Sequence, residues 1–222
     1  MKKLIKSSVL ACTLLALFTA CAPKSNNNPV DNVQEAGKEP DLQAKIFRGV
    51  CSLKPLESIA TGIATGGDAS IKSAREQYQF AGANITHATL LYATADCTGP
   101  ESIIFKETGS VTIDGDKKTA DQGKFIDIEM RALTVTIGSD VGAMIAHDIK
   151  LCGTEEWGNT TEREVTAHSS EATCYRKTVP SRDANVYRLL DANTLVFGKK
   201  SFLERNDTRP NGLDLETKFV AN

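Results

Sequence analysis

Cysteine is the residue type in this sequence whose chemistry is easiest to constrain. The chain of 222 residues carries six, at Cys12, Cys21, Cys51, Cys97, Cys152 and Cys174. Cysteines form disulfides in oxidising compartments and bind zinc through closely spaced pairs. None of the last four shows the Cys-x-x-Cys spacing that structural zinc sites favour, so we predict no metal site. These four cysteines allow three disulfide connectivities, and their spacing alone does not choose between them.

Histidines, serines and paired carboxylates are the remaining candidates for catalysis. The three histidines are His87, His147 and His168, and no serine lies in the Gly-x-Ser-x-Gly motif of an activated nucleophile. Asp127 and Glu129 alternate with apolar residues, which is more typical of a solvated strand face than of an acid–base pair. Phosphate-binding glycine loops, EF-hand spacing and the His-Glu-x-x-His motif do not occur in the sequence. We therefore predict no catalytic residues, no cofactor and no enzymatic activity.

The first 21 residues combine a basic start, a short apolar run and small residues before a cysteine. The apolar run at 9–18 is too short to cross a bilayer, which needs about 20 residues. This layout predicts a secretory signal, which removes Cys12 when it is cleaved. The residues Phe18-Thr19-Ala20-Cys21 resemble a bacterial lipobox. The resemblance implies cleavage before Cys21, a diacylglycerol on its sulfur and an acyl chain such as palmitate on its new amino terminus.

The segment that follows the signal is polar. Residues 22–43 contain three prolines and no hydrophobic period, which indicates a disordered tether. Ala22 follows the cysteine where an aspartate would signal inner-membrane retention, so the lipobox resemblance implies sorting to the outer membrane of the cell envelope. Loss of three signal lysines moves the formal charge from −2 to about −5. An acidic protein is a poor partner for nucleic acid, which we exclude.

The rest of the chain has the pattern of short strands with one helix. Strand-like segments lie at 75–81, 84–94, 101–107, 110–114, 124–137, 162–168, 172–178, 185–190, 194–197 and 213–219. Turns are predicted at 82–84 and 115–118. The apolar phase shifts between Met130 and Leu133, which predicts a bulge near Ala132.

One segment after the longest strand has helical spacing. Ser139 or Asp140 is a good N-cap for a helix that begins there. Eight to ten strands with a single helix predict a mainly β domain, an antiparallel barrel or sandwich. We therefore predict a signal peptide at 1–20, a lipidated tether at 21–43 and a single barrel domain at 44–222.

The stretch from Leu91 to Pro100, running into Gly109-Ser110-Val111, is similar to lipocalin-like half-barrel domains. One such domain is the extracellular part of the Wnt inhibitor named for down-regulation by adenomatous polyposis coli. The resemblance implies an antiparallel lipocalin-like barrel or half-barrel in which Cys51 pairs with Cys97. We predict Cys152–Cys174 as the second disulfide, which would clip the loop after the helix to a strand.

The same resemblance implies a binding domain for an apolar ligand or a lipidated partner. Together with the lipobox resemblance, it predicts a membrane-anchored lipoprotein with a non-enzymatic binding domain. The alternative is an interaction lipoprotein with a filled barrel and no small-molecule ligand, whose loops at 56–73 and 153–161 meet an envelope protein. The two functions differ in which side chains should face the interior of the barrel. Small residues would leave space (Ala88, Ala93, Ala132) and aromatic ones would fill it (Tyr78, Phe80, Phe105, Phe125). An apolar cavity on the order of several hundred Å³ would favour the binding function.

Overall fold

The computed structural model describes residues 34–35, 39–59, 63, 70–200 and 207–221. The predicted signal, the lipid site at Cys21 and the tether up to residue 33 lie outside these residues. Among the described residues, no helix is long and apolar enough to cross a membrane.

Within the described part, the chain forms ten strands and one α-helix. The strands are β1 (Gln34–Glu35), β2 (Ile46–Arg48), β3 (Ser73–Ala81), β4 (Asn84–Tyr92), β5 (Ile103–Lys118), β6 (Lys124–Ile137), β7 (Glu162–Glu164), β8 (Ser181–Asp191), β9 (Thr194–Gly198) and β10 (Leu213–Ala221). The helix α1 (Asp140–Asp148) follows β6 directly, and short 3₁₀ helices lie at Lys54–Ser58, Leu151–Gly153 and Thr166–His168.

Eight strands close into an antiparallel barrel. The order is β5-β4-β3-β2-β10-β9-β8-β6, and β6 pairs with β5 to complete the ring. The short strands β1 and β7 add to β5 and β6 beside this ring. Closure leaves no edge strand within the ring. The mainly β antiparallel barrel with one short helix is therefore confirmed, and the sandwich is excluded.

The ladder between β5 and β6 contains the predicted bulge. Thr108 pairs with Ala132 but Gly109 pairs with Met130, so Arg131 is the extra residue. The bulge returns the apolar side chains of β6 to the interior after the phase shift. Glycine is required opposite the bulge, because a Cβ at Gly109 would overlap the carbonyl oxygen of Glu129.

The interior side chains form two apolar clusters, one towards each end of the barrel. One cluster includes Phe47, Phe80, Ile85, Ile113, Ile126 and Phe219. The other includes Leu91, Phe105, Leu133, Ile137, Trp157 and Tyr175. The helix α1 packs on this second cluster through Ile145 and Ala146. Its N-cap is Ser139, one of the two predicted candidates, whose side chain accepts a hydrogen bond from the N–H of Gly142.

Both predicted disulfides are present. The Cα atoms of Cys51 and Cys97 are 5.8 Å apart, and those of Cys152 and Cys174 are 4.4 Å apart. The first joins the segment after β2 to the loop between β4 and β5. By the chain-entropy model, loops of 46 and 22 residues give about 4 and about 3 kcal/mol of stabilisation.

Several local predictions are wrong. Residues 172–178 form turns, not a strand, so the second disulfide clips the post-helix segment to a turn. The predicted turn at 115–118 belongs to β5, and the chain reverses at 119–123. The reason is that Asp114 accepts hydrogen bonds from the N–H groups of Asp116 and Lys117, which makes an irregularity within the strand rather than a turn. The strand predicted at 162–168 ends at residue 164.

The folded domain also begins before the predicted boundary at residue 44. Leu42 is fully buried in the first apolar cluster. Glu39 forms an ion pair with Lys124 on β6, with an N–O distance of 2.8 Å. Residues 39–43 are therefore part of the domain and not of the tether, because an apolar side chain within this polar segment finds a place in the core.

Candidate functional site

The barrel contains a cavity of about 410 Å³. The cavity reaches the surface beside a sparsely paired part of the barrel, where β10 pairs with β2 only through Val220 and Ala221. The ladder of β10 with β9 is also interrupted, between Leu213 and Lys218. Asp214 explains the interruption, since its carboxylate accepts hydrogen bonds from two N–H groups that would otherwise enter a ladder.

An aromatic wall lines one side of the cavity. The ring centroid of Tyr78 is 4.8 Å from that of Phe197 and 4.9 Å from that of Phe219. Ile128 and Met130 on β6 also line the cavity. These side chains point inwards because each occupies the interior phase of its strand, in which alternate residues face the same side.

A buried histidine between two carboxylates forms the polar floor of the cavity. His87 is 1% exposed, with Nδ1 2.8 Å from Oε2 of Glu107 and Nε2 3.1 Å from Oε1 of Glu76. The hydroxyl of Tyr175 donates to the same Glu107 oxygen at 2.8 Å. The ring of Tyr78 stacks on the imidazole at 4.5 Å. We call Glu76, His87, Glu107 and Tyr175 the polar cluster; of its members, Glu76 and His87 line the cavity.

The pairing of β3, β4 and β5 brings most side chains of the polar cluster together. His87 on β4 is the direct cross-strand partner of both Tyr78 on β3 and Glu107 on β5. Glu76 lies two residues before Tyr78, on the same face of β3. Tyr175 comes from the turn-rich segment next to the second disulfide, which brings its ring against Phe105 at 5.4 Å.

The charge state of His87 follows from its partners. Burial alone would lower the pKa of His87, but hydrogen bonds to Glu107 and Glu76 outweigh burial and raise the pKa above 6.5. Two carboxylates accept hydrogen bonds, and only the imidazolium has an N–H on both nitrogens. His87 is therefore held as a cation with both of its donors used.

The mouth of the cavity is charged and partly apolar. Lys200 donates to Asp183 and to the carbonyl oxygen of Ala184, both at 2.7 Å. Lys54, the first residue of the 3₁₀ helix Lys54–Ser58, also lines the cavity, as does Val50, which is 72% exposed.

The residues singled out by sequence lie in different places. His147 and His168 are exposed, each beside an acid, and are not in the cavity lining. Asp127 and Glu129 lie on the exposed outer face of β6, as predicted.

Among the residues expected to control the interior volume, Tyr78, Phe80 and Phe105 do face inwards. Ala88 instead packs with Leu90, Tyr92 and Cys97 in a separate cluster, and Phe125 packs against Val186, Val196 and Leu213 in another. Neither therefore shapes the cavity. None of the three alanines, Ala88, Ala93 and Ala132, is among the residues that line the cavity.

Sequence reasoning missed Glu76 and Glu107. Their positions in the strand alternation could have indicated that they face inwards. Glu107 alternates in phase with the buried Phe105 on β5, and Glu76 alternates in phase with the buried Ala74 on β3. Within the described residues, no group of three or more histidines, cysteines and acids is arranged to hold a metal ion.

Comparison with known proteins adds no relative. No protein-family model matches the chain, and no curated protein matches it significantly. The class is therefore defined by the structure itself: a closed eight-stranded antiparallel barrel with an internal cavity that opens through its wall.

Proposed function

We propose that this protein is a lipoprotein of the outer membrane whose barrel is a non-enzymatic binding domain for a small molecule with an apolar body. The cavity carries this proposal. Its volume of about 410 Å³ lies within the roughly 300–1,000 Å³ range of small-molecule sites, and aromatic and aliphatic side chains line it. The ligand is either a free small molecule or the lipid that is attached to a partner protein. The alternative interaction function needs a barrel filled by its own side chains, which the cavity disfavours.

The polar cluster supports the non-enzymatic part of the proposal. A general base needs an unshared electron pair directed at the substrate. Both nitrogens of His87 instead face carboxylates, at 2.8 and 3.1 Å. No serine, threonine or cysteine is among its hydrogen-bond partners in the described part of the chain.

A substitution that fills the cavity tests the binding function. Thr217 lines the cavity from β10, and the next residue, Lys218, is exposed on the outer face. We expect N-phenylnaphthylamine, a neutral apolar probe that fluoresces on leaving water, to bind saturably at one site. Thr217→Trp should weaken this binding about tenfold or more, because the indole occupies the space of the probe. Lys218→Trp adds the same group outside and should leave the affinity unchanged. Equal affinities of the two variants, or no saturable binding, would contradict the proposal.

The lipid anchor has a separate test. Mass spectrometry of the native protein should find residues 1–20 removed and Cys21 carrying the lipid. Cys21→Ser should release the protein from membranes, because a thioether to the diacylglycerol cannot form. An unmodified protein that begins elsewhere would exclude the anchor but would leave the binding function intact.

A further inference from the structure

We propose that Arg48 and Arg75 form a binding site for a phosphate group on the outer face of the barrel. The phosphate group belongs either to a soluble phosphate compound or to a phospholipid head group. Neither arginine lines the cavity, so this inference is independent of the cavity and of its ligand. We call these two residues the arginine pair.

Strand alternation and register bring the arginine pair together. On β2, Phe47 is fully buried in the barrel, so Arg48 faces outwards. On β3, Ala74 is fully buried in the barrel, so Arg75 faces outwards as well. The cross-strand partner of Arg48 is Gln77, which lies two residues after Arg75. The two arginines are therefore diagonal neighbours on one face, a separation of about 7–8 Å that long side chains can span.

The arginine pair has no acidic partner in the described part of the chain. Both residues are half-buried, yet neither forms an ion pair or a side-chain hydrogen bond with a described residue. The Nε atom of Arg75 is also buried without a hydrogen-bond partner among these residues. Neighbouring like charges on a sheet repel each other, and most buried donors in proteins have an acceptor. An anion that contacts both guanidinium groups accepts hydrogen bonds from them and reduces their repulsion.

The strand next to β3 places a tyrosine beside the arginine pair. Leu90 on β4 is the cross-strand partner of Arg75, and Tyr92 lies two residues further on, on the same outer face. The hydroxyl of Tyr92 donates to Glu101 at 3.3 Å. Burial raises the pKa of Tyr92 and Glu101 adds to the rise, whereas Arg75 and Arg48 oppose it, so both guanidinium groups act at this hydroxyl. Glu101 offsets part of the positive charge, and the group as a whole remains positive.

A phosphate group fits two guanidinium groups better than a carboxylate does. A phosphate monoester has three terminal oxygens and a charge of about −1.5 to −2 at neutral pH, so each guanidinium can bind different oxygens. A carboxylate has only two oxygens, and a single guanidinium commonly binds both of them. Arginine is suited to this role because its planar group presents several donors in a fixed geometry.

Titration of the intact protein with inorganic phosphate tests the site. Two-dimensional ¹H–¹⁵N NMR at neutral pH, in about 0.1 M sodium chloride, follows the Nε–H signal of Arg75 and the backbone N–H signals of β3. We expect these signals to move saturably with phosphate, and the affinity for acetate to be about tenfold lower. Arg48→Gln and Arg75→Gln should each weaken phosphate binding about tenfold, because each variant loses charge-assisted hydrogen bonds.

Arg131→Gln is the matched control. Arg131 lies on β6 and pairs with Glu129 at 3.3 Å, and its side chain is 61% exposed. This variant removes the same charge from the protein and should keep the phosphate affinity. A loss of affinity equal to that of Arg48→Gln would mean that net charge, and not the arginine pair, attracts the anion, and would overturn the inference.

Vesicles distinguish the two sources of the phosphate group. The Cys21→Ser protein is used, so that the predicted lipid anchor does not itself bind the vesicles. Sedimentation with phosphatidylcholine vesicles that contain phosphatidic acid, but not with pure phosphatidylcholine, would identify a lipid head group if Arg75→Gln abolished it. Binding of inorganic phosphate without sedimentation would identify a soluble phosphate compound.

The titration of the unaltered protein decides the inference even if a variant does not fold. No saturable response to phosphate, or acetate binding as tightly as phosphate, would overturn it. Phosphate binding that neither Arg48→Gln nor Arg75→Gln weakens would also overturn it. None of these results bears on the cavity, whose own test uses the neutral apolar probe.

Discussion

Gly109→Ala is expected to destabilise the barrel by about 4 kcal/mol or more, enough to unfold most of the protein. The added Cβ would overlap the carbonyl oxygen of Glu129 and come within 2.8 Å of the Cα of Met130. Both are backbone atoms at the bulge in β6, so no side-chain rotation relieves the overlap. Relief requires β5 and β6 to separate, and their ladder is the one that closes the barrel. Circular dichroism during urea denaturation measures the loss.

Gly158→Ala provides the control for this prediction. The nearest atom to a Cβ there is Oγ1 of Thr161 at 3.5 Å, an ordinary contact. Its stability should change by less than about 1 kcal/mol. If both variants were equally stable, the close approach at the bulge would not be what selects glycine at position 109.

The bulge shows what the sequence can predict about this fold. In a strand, alternate side chains face opposite sides, so the apolar shift between Met130 and Leu133 requires an extra residue. The helix start is an equally local feature, and the sequence limited its N-cap to Ser139 or Asp140. Closure into a ring was not decided by sequence, because it depends on pairing between strands far apart in the chain. The turn predicted at 115–118 was wrong because Asp114 bonds the N–H groups of Asp116 and Lys117 within β5, and the chain continues through this irregularity to pair again at Lys118.

The candidate site was less predictable from the sequence than the fold, although the sequence did predict part of its geometry. The predicted hairpin turn at 82–84 fixes the register of β3 and β4, which puts Tyr78 opposite His87. The burial of Glu107 was not predicted, although Glu107 has the phase of Phe105. Tyr175 could not have been placed, because it reaches the cluster from an irregular segment to which no periodicity applies.

Glu107→Gln is expected to destabilise the protein by about 2–4 kcal/mol at neutral pH, because it removes one of the two charges that compensate a buried imidazolium. Among the described residues, the charged groups that face His87 are Glu76 on β3 and Glu107 on β5. The ammonium of Lys177 lies 4.6 Å from the ring centroid of Tyr175, whose hydroxyl donates to Glu107. Glutamine has nearly the shape of glutamate and can still accept a hydrogen bond. The loss therefore reports mainly on charge and not on packing.

The pH dependence of stability distinguishes this explanation from a packing defect. The folded-state pKa of His87 is raised above its unfolded value near 6.5 by the hydrogen bonds to the glutamates, which overcome burial. Its proton therefore stabilises the fold fully below about pH 6.5, and this contribution is lost as pH rises through the folded pKa. Urea denaturation from about pH 6 to about pH 9 should show stability falling in the unaltered protein and a shallower fall in Glu107→Gln, in which the pKa is raised less.

Glu129→Gln is the matched control for the charge at position 107. Glu129 lies on the outer face of β6 and pairs with Arg131 at 3.3 Å, and both side chains are largely exposed. Exposed ion pairs contribute about 0–1 kcal/mol, so this variant should keep both the stability and its pH dependence. Stability that rises with pH above 6.5 in the unaltered protein, or an equal slope in Glu107→Gln, would mean that His87 is neutral in the folded state.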